Sequence, residues 1–194
     1  MITDRIGTRI VGIALALASV GFLAAETAPQ KEEFQAFAIT PALNARTTIS
    51  SIMNISIDRW STETEMSELL EAFNARGQDG LLDLLQDKPK LGTFRMPDRI
   101  GYPLRYAFQQ PDGQGGRRIV LATDRAIEFY EITNQTRSFG YPFTVIEIHL
   151  NKDNRGEGRI STAAKIIVSL DGKYFDIEDY GPLPVLLKTV KKTK

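Results

Sequence analysis

The only histidine, His149, and the nearby acid Glu147 are the pair best suited to proton transfer. Strand alternation places both side chains on one face, opposite Ile146 and Ile148. A histidine suits a general base because its charge changes near neutral pH. Nucleophilic catalysis also needs an activated partner, and neither a serine nor a cysteine is identifiable in that role. We therefore expect a surface or cavity-lining role for His149 and assign no catalytic residue.

Carboxylates on predicted strands offer a second chemistry, glycoside hydrolysis by a pair of acids. The candidates are Asp58, Glu128, Glu131 and Glu147. Such a pair is defined by a separation of roughly 5–9.5 Å between the carboxyl groups, which a sequence does not supply. Solvated strand faces explain the four acids more simply. A secreted carboxylate-dependent hydrolase, with His149 as an accessory base, is the alternative function.

Two loops share composition with ligand-binding motifs but lack the required spacing. Residues 151–156 are rich in Asn and Asp, yet a calcium loop needs oxygen ligands where Arg155 and Thr162 stand. The glycines of residues 113–116 precede a predicted strand, whereas a phosphate cradle precedes a helix. Both segments are interpreted as hairpin loops. Since the chain also lacks cysteine, we expect no metal site and no cofactor.

Aromatic side chains are numerous after residue 59, where they suit either a packed core or the lining of a ligand cavity. They are Trp60, Tyr102, Tyr106, Phe108, Phe129, Tyr130, Phe139, Tyr141 and Phe143. Core packing is the simpler interpretation. The candidate binding residues that follow from aromatic and charged positions are Asp58, Trp60, Arg99, Asp124, Arg125, Glu147 and His149. Asp124 and Arg125 have an equally simple structural interpretation, an internal ion pair between two strands.

The N-terminus has the pattern of an export signal. Residues 1–9 contain Arg5 and Arg9, and residues 10–25 form a run of 16 residues without charge. As a helix this run spans about 24 Å, less than the roughly 30 Å of a bilayer core. We predict a signal peptide at residues 1–25 and a periplasmic or secreted protein. Because Leu23 is a poor cleavage-site residue, an uncleaved membrane anchor is the alternative.

The remaining chain is predicted to be a linker at residues 26–46 and a single β-rich domain at residues 47–194. The 24 basic and 24 acidic residues balance, which argues against a nucleic-acid partner. A half-buried strand is expected from residue 49 to about Trp60. Thr62 and Glu65 then have capping-box spacing. One apolar helical stripe follows, made of Met66, Leu69, Leu70 and Phe73.

Gly77 is expected to end this helix, and residues 80–87 to form a second, giving a helical hairpin. Period-two patterns then predict strands, including residues 127–133 and a long strand at 159–170. Asp171-Gly172 predicts a tight hairpin turn. The fold class is therefore α+β, mostly β: an antiparallel meander of about 8–9 strands with the hairpin inserted after the first. A barrel and a sandwich both remain open.

Five short segments together resemble a family of short exported hypothetical proteins found in soil bacteria such as Acidobacteria. They are residues 58–62 (DRWST), 80–85 (GLLDLL), 117–125 (RRIVLATDR), 141–147 (YPFTVIE) and 156–158 (GEG). The resemblance covers about residues 49–191. It implies export and a shared fold, and it carries over no activity, cofactor, partner or site residue.

These patterns favour a non-enzymatic module of the envelope or secreted fraction that binds a small ligand or an envelope component. Contact with a membrane is expected only through the leader, if it stays uncleaved. A purely structural or assembly protein is a further alternative to the hydrolase. The sequence does not identify the ligand or the oligomeric state.

Overall fold

A computed structural model of the protein describes residues 31–40, 49–97, 100–124, 143–169, 172–178 and 184–194. These residues contain ten strands and one helix. The first half comprises β1 (Glu32–Thr40), β2 (Ile49–Ile57), α1 (Glu63–Asp87), β3 (Gly92–Arg95), β4 (Tyr102–Leu104) and β5 (Tyr106–Pro111). The second half comprises β6 (Arg117–Ala122), β7 (Phe143–Leu150), β8 (Arg155–Val168), β9 (Phe175–Glu178) and β10 (Val185–Lys192).

Helix α1 bends sharply at Gly77, and the predicted hairpin of two helices is not confirmed. The capping box of Thr62 and Glu65 forms as predicted. Gly77 has non-helical angles (φ 61°, ψ −140°), but the helix resumes without a loop, so the described residues hold one helical element. Twenty residues of straight helix span about 30 Å, yet Lys88 forms an ion pair with Glu68. The two halves of α1 therefore lie against each other across the bend.

All strand pairs are antiparallel, which confirms the predicted mostly-β architecture. The order across the sheet is β4-β3-β2-β1-β10-β8-β7-β6-β5, and β9 pairs with β8. Two four-stranded meanders, β1–β4 and β5–β8, are thus joined through the last strand, β10. The N-terminal strand of the described chain and its C-terminal strand are hydrogen-bonded neighbours.

Arg105 alone separates β4 from β5, the two strands at the ends of this order. The Leu91 N–H donates to the Leu104 carbonyl at 2.8 Å, on the β3 side. The Arg105 N–H donates to the Ala122 carbonyl at 2.9 Å, on the β6 side. The chain thus passes from the first strand of the order to the last at a single residue. The sheet is therefore curled into a half-barrel, and its two edge strands, β4 and β5, approach each other at Arg105.

The apolar side chains form two cores, one on each face of the curled sheet. The inner core draws on β1–β8 and β10 and includes Phe34, Met53, Phe94, Leu121 and Ile146, all fully buried. The outer core lies between α1 and the opposite face of β5–β9, and includes Leu69, Leu81, Val120, Phe143 and Phe175. The middle of the sheet is consequently covered on both faces.

Strand β8 contributes to both cores because its alternation is interrupted. Sequence alternation predicts one common face for Ile160, Ala164 and Ile166. The structure places Ile160 in the inner core but Ala164 and Ile166 in the outer core. The pairing of β7 with β8 shifts register between Phe143 and Val145, where an extra residue enters β8. Such a bulge exchanges the two faces of the strand that contains it.

The predicted linker at residues 26–46 is wrong over Glu32–Thr40, which forms β1. Phe34, Ala36 and Ala38 point into the inner core at period two. Alanine carries little hydrophobic surface, so this alternation is weak in the sequence. The predicted strand at residues 127–133 lies outside the described residues. Within the described part of the chain, α1 lacks the run of apolar residues that a membrane crossing requires.

A buried ion pair closes one end of the inner core. Arg117 on β6 donates to both carboxylate oxygens of Glu32 on β1, at 3.1 and 2.7 Å. The same guanidinium donates to Gln109 and Asn154 and lies over the ring of Phe34. The ion pair connects β1 and β6 through two residues that are 85 positions apart in the chain, and it places polar groups at this end of the inner core.

Candidate functional site

Five of the seven predicted binding residues can be placed, and they do not converge on one site. Arg99 and Arg125 lie outside the described residues. Asp58 is exposed after β2 and lies 3.9 Å from the amino group of Lys31. Trp60 is half-buried and packs against the inner core. The predicted set therefore divides into separate surroundings, with only Glu147 and His149 in contact.

Asp124 belongs to the junction that closes the sheet. Its Oδ2 accepts a hydrogen bond of 3.1 Å from Nε of Arg105. A second nitrogen of the same guanidinium, Nη1, donates to the Lys88 carbonyl. The ion pair that the structure describes for Asp124 is therefore with Arg105. The suggested pair of Asp124 with Arg125 stays a prediction, because Arg125 lies outside the described residues. Asp124 Oδ1 is buried and has no hydrogen-bond partner in the described structure.

Glu147 is the centre of a charged cluster on the outer face of β6–β9. Arg118 Nε donates to its Oε1 at 2.6 Å, and Arg159 Nε donates to its Oε2 at 2.8 Å. His149 Nε2 lies 3.2 Å from Oε1. Arg118 also donates to Asp176 at 2.8 Å. We call these five residues the Glu147 cluster.

The electrostatics of this cluster suit an anchored ion rather than a proton donor. Burial raises the pKa of Glu147, but the hydrogen bonds and charges of Arg118 and Arg159 outweigh it and lower the pKa overall. A general acid needs the opposite shift, a pKa raised toward neutrality. His149 is 63% exposed, so it lies at the surface rather than in a cleft. The Glu147–His149 pair therefore lacks the raised carboxyl pKa that a general acid needs. Glu128 and Glu131, two other acids of the hydrolase alternative, lie outside the described residues.

A narrow apolar groove lies beside this cluster, between α1 and the outer face of the sheet. Leu69, Leu81 and Leu85 line it from the helix. The sheet side is lined by Tyr106, Val120, Ala122, Val145, Ile166, Phe175, Asp176 and Ile177. We call this space the helix groove. Nearly all of its lining is apolar, with one carboxylate, Asp176, and one phenol, Tyr106.

The helix groove is narrow and closely packed, since Leu69, Leu81 and Leu85 in its helix wall are each only 1% exposed. Its empty space is about 300 Å³ when the mouth is counted, whereas the enclosed part accommodates only about one water-sized sphere. Tyr106 lies at its wall, and burial raises the pKa of this phenol well above its ordinary value. Its hydroxyl therefore stays protonated, with Met66 Sδ at 3.7 Å.

The Glu147 cluster forms the charged rim of the helix groove. Arg118 is two residues from Val120 on β6, and Glu147 is two residues from Val145 on β7, so each pair shares the outer face. Asp176 belongs to both sets, since it lines the groove and accepts from Arg118. The arrangement is an apolar slot that ends in fixed charges of both signs.

The sequence did not identify Arg118, Arg159 and Asp176, which complete this rim. Their contacts depend on the registers of β6, β7, β8 and β9, and register is set by tertiary pairing. The leucines of α1 were identified, but as packing residues only. One indication was available in the sequence. Arg118 and Glu147 each lie beside an apolar residue in a predicted strand, and strand alternation points their side chains to the face opposite that of this neighbour.

Metal coordination and similarity to known proteins add nothing to this geometry. Among the described residues, no three His, Cys, Asp or Glu side chains are grouped so that they could hold an ion. The family resemblance suggested by short segments stays a prediction. No family model, no curated protein and no solved structure matches this chain.

Proposed function

We propose that the protein is an exported, non-enzymatic module that binds a slender apolar ligand, such as an alkyl or acyl chain, in the helix groove. The observation that carries the proposal is the lining of that groove: three leucines of α1 face apolar side chains of five strands. The inner core contains large, fully buried side chains such as Phe34, Met53 and Phe94.

The shape and chemistry of the groove define the ligand class. An apolar wall favours a chain whose methylene groups leave water, at about 0.8 kcal/mol for each CH₂ buried. A narrow slot excludes bulky ring systems. The Glu147 cluster at the rim provides charged hydrogen-bonding groups for a polar end of the ligand.

Binding requires the groove to widen, and the bend in α1 supplies a hinge. Leu81 and Leu85 lie after Gly77, so the second half of α1 forms one wall. The side chain of Gln78 holds this half to the sheet, since its amide donates to the Ile166 carbonyl and accepts from the Ile166 N–H. Rotation about Gly77 would separate the leucines from β6 and β7 without unfolding either half.

The test is a thermal-shift series with straight-chain alcohols of increasing length on the exported protein, whose N-terminus is first read from its intact mass. We expect a chain that begins at Glu26 and a melting temperature that rises with ligand length. At about 100 times Kd the rise should be about 5–11 °C. Ala122→Leu, which puts an isobutyl group into the groove, should abolish the rise.

Two further variants separate groove binding from general hydrophobic adsorption. Ile52→Ser removes an exposed apolar side chain far along the sheet order, and it should keep the full shift. Leu85→Ala enlarges the groove and should increase the shift for the longer alcohols, although it lowers stability by about 2–5 kcal/mol. No shift in the wild type, or an equal shift in A122L, would overturn the ligand proposal. An intact N-terminus in the membrane fraction would instead support the anchored alternative to export.

A further inference from the structure

Three of the four exposed large hydrophobic side chains in the described residues are neighbours on the sheet. These are Phe37 on β1, Ile52 on β2 and Leu186 on β10, exposed by 40, 46 and 37%. Phe37 is directly opposite Ile52 in the β1–β2 ladder. We call these three residues the outer patch. The fourth, Ile100, precedes β4 and is 90% exposed.

The outer patch lies on the convex face of the half-barrel. Phe37, Ile52 and Leu186 alternate with buried inner-core residues on their own strands, so they point away from that core. Helix α1 packs on β5–β9 instead. Exposed apolar side chains grouped on adjacent strands are typical of an interaction surface.

Charges of opposite sign flank the outer patch on its two sides. Beyond β10, Glu157 on β8 is 65% exposed and pairs with Lys188, which is itself opposite Phe37. Beyond β2, Arg95 on β3 is exposed and opposite Asn54. Glu157 and Arg95 each lie two strands from Phe37, or about 10 Å, on opposite sides.

We propose that the outer patch is the contact between two copies of this chain, related by a two-fold axis that passes near Phe37 in the plane of the contact and parallel to the strands. Such an axis brings the Glu157 side of one copy over the Arg95 side of the other, so both flanking pairs become attractive. The chain from Glu26 onward has 22 basic and 23 acidic residues (24 minus Arg5 and Arg9, and 24 minus Asp4), so net repulsion between copies is small. This inference is independent of ligand binding in the helix groove.

The size of the face predicts a weak dimer. Five strands from β8 to β3 span about 20 Å, and six residues along the four longer strands span about 20 Å, while β3 contributes its four residues. The resulting area of roughly 400 Å² per copy is about half of the ~800 Å² per partner of a stable interface. The dimer should therefore form only toward the upper end of the micromolar range and dissociate on dilution.

Sedimentation equilibrium of the exported protein, from micromolar to millimolar concentration, tests the inference. The wild type should shift from monomer to dimer. Ile52→Glu should weaken the dimer by at least about tenfold, whereas Ile100→Glu, an equal change at an exposed position outside the patch, should not. Arg95→Glu should weaken it, and the double variant R95E/E157R should restore it.

Three results would overturn the inference. The first is a wild-type protein that stays monomeric at millimolar concentration. This result would overturn the inference even if the protein were found to bind lipid vesicles. The second is a dimer that I52E leaves intact. The third is a charge reversal at Arg95 that E157R fails to rescue although both variants show the wild-type circular dichroism spectrum.

Discussion

Glu147 shows how a single buried charge is held in place and what it contributes. Its carboxylate accepts hydrogen bonds from Arg118 and Arg159 on the two neighbouring strands, so it joins β6, β7 and β8 on the outer face. Burial raises its pKa, and the two guanidinium groups lower it by more. A group whose pKa is lower in the folded state stabilises the fold above its unfolded pKa, and this contribution is lost as the pH falls through the folded value.

We expect Glu147→Gln to lower the free energy of unfolding at pH 7 by about 3 kcal/mol, because two arginines lose their charged partner. The difference between wild type and variant should begin to shrink as the pH falls below the unfolded-state pKa of about 4.3, and it should shrink further as the pH approaches the lowered folded-state pKa. Urea denaturation at pH 7 and pH 3 measures both. Glu157→Gln, at an exposed ion pair, is the matched control and should change stability by at most about 0.5 kcal/mol. Equal effects of the two variants at pH 7 would contradict this role of Glu147.

Glu65 provides a second, better-defined titration at the start of α1. The hydrogen bonds from Arg59 and, to a smaller extent, from the Thr62 N–H of the capping box lower its pKa to about 2 against the cost of burial. Its contribution to stability should therefore be complete above about pH 4.5 and decline between that pH and pH 2. Glu65 and Glu147 therefore share one feature: neighbouring arginines stabilise the ionised form of the carboxylate.

At the scale of elements, α1 differs most from its prediction. The capping box, the apolar stripe and the special role of Gly77 were all visible in the sequence. The continuation of the helix through Gly77 was not, because it depends on contacts such as Gln78 with Ile166 and Lys88 with Glu68. A glycine with positive φ ends many helices, and tertiary contacts decide whether another helical segment follows directly.

We expect Gly77→Ala to destabilise the protein by about 1–3 kcal/mol through backbone strain. Its φ is +61°, and an added Cβ would meet no atom within 4 Å, so a steric clash does not contribute. The exposed helical residue Gln86 gives the matched control, since Gln86→Ala should be neutral or slightly stabilising. Chemical denaturation of both variants measures the difference. If G77A is as stable as Q86A, the bend described at Gly77 is contradicted.

The strands were predicted where polar and apolar residues alternate clearly, as in β2 and β7. Strand β1 was missed because Ala36 and Ala38 are its core residues, and the two faces of β8 were merged because a bulge leaves no mark in the sequence. The charged rim of the helix groove could not be predicted from the sequence either. Arg118 and Glu147 are separated by 29 residues, and only the pairing of β6 with β7 brings them together.

At the scale of the whole molecule, one curled sheet separates two cores with different properties. The inner core contains large, fully buried side chains such as Phe34 and Phe94, and the ion pair of Arg117 with Glu32 covers one end of it. The outer core depends on α1, whose bend leaves the helix groove beside the Glu147 cluster. The same outer, convex face carries the outer patch on β1, β2 and β10, away from α1. The half-barrel thus presents two separate surfaces, one suited to a ligand and the other to a second copy.

The most direct test of the ligand site is a methyl NMR titration of the isotopically labelled protein with decanol, at a concentration where the protein is monomeric. The account predicts that chemical-shift changes concentrate on the methyl groups of Leu81, Leu85, Val120 and Val145, which line the helix groove. Changes confined to Ile52 and Leu186, or to inner-core residues such as Ile55 and Ile146, would contradict it, as would the absence of any change.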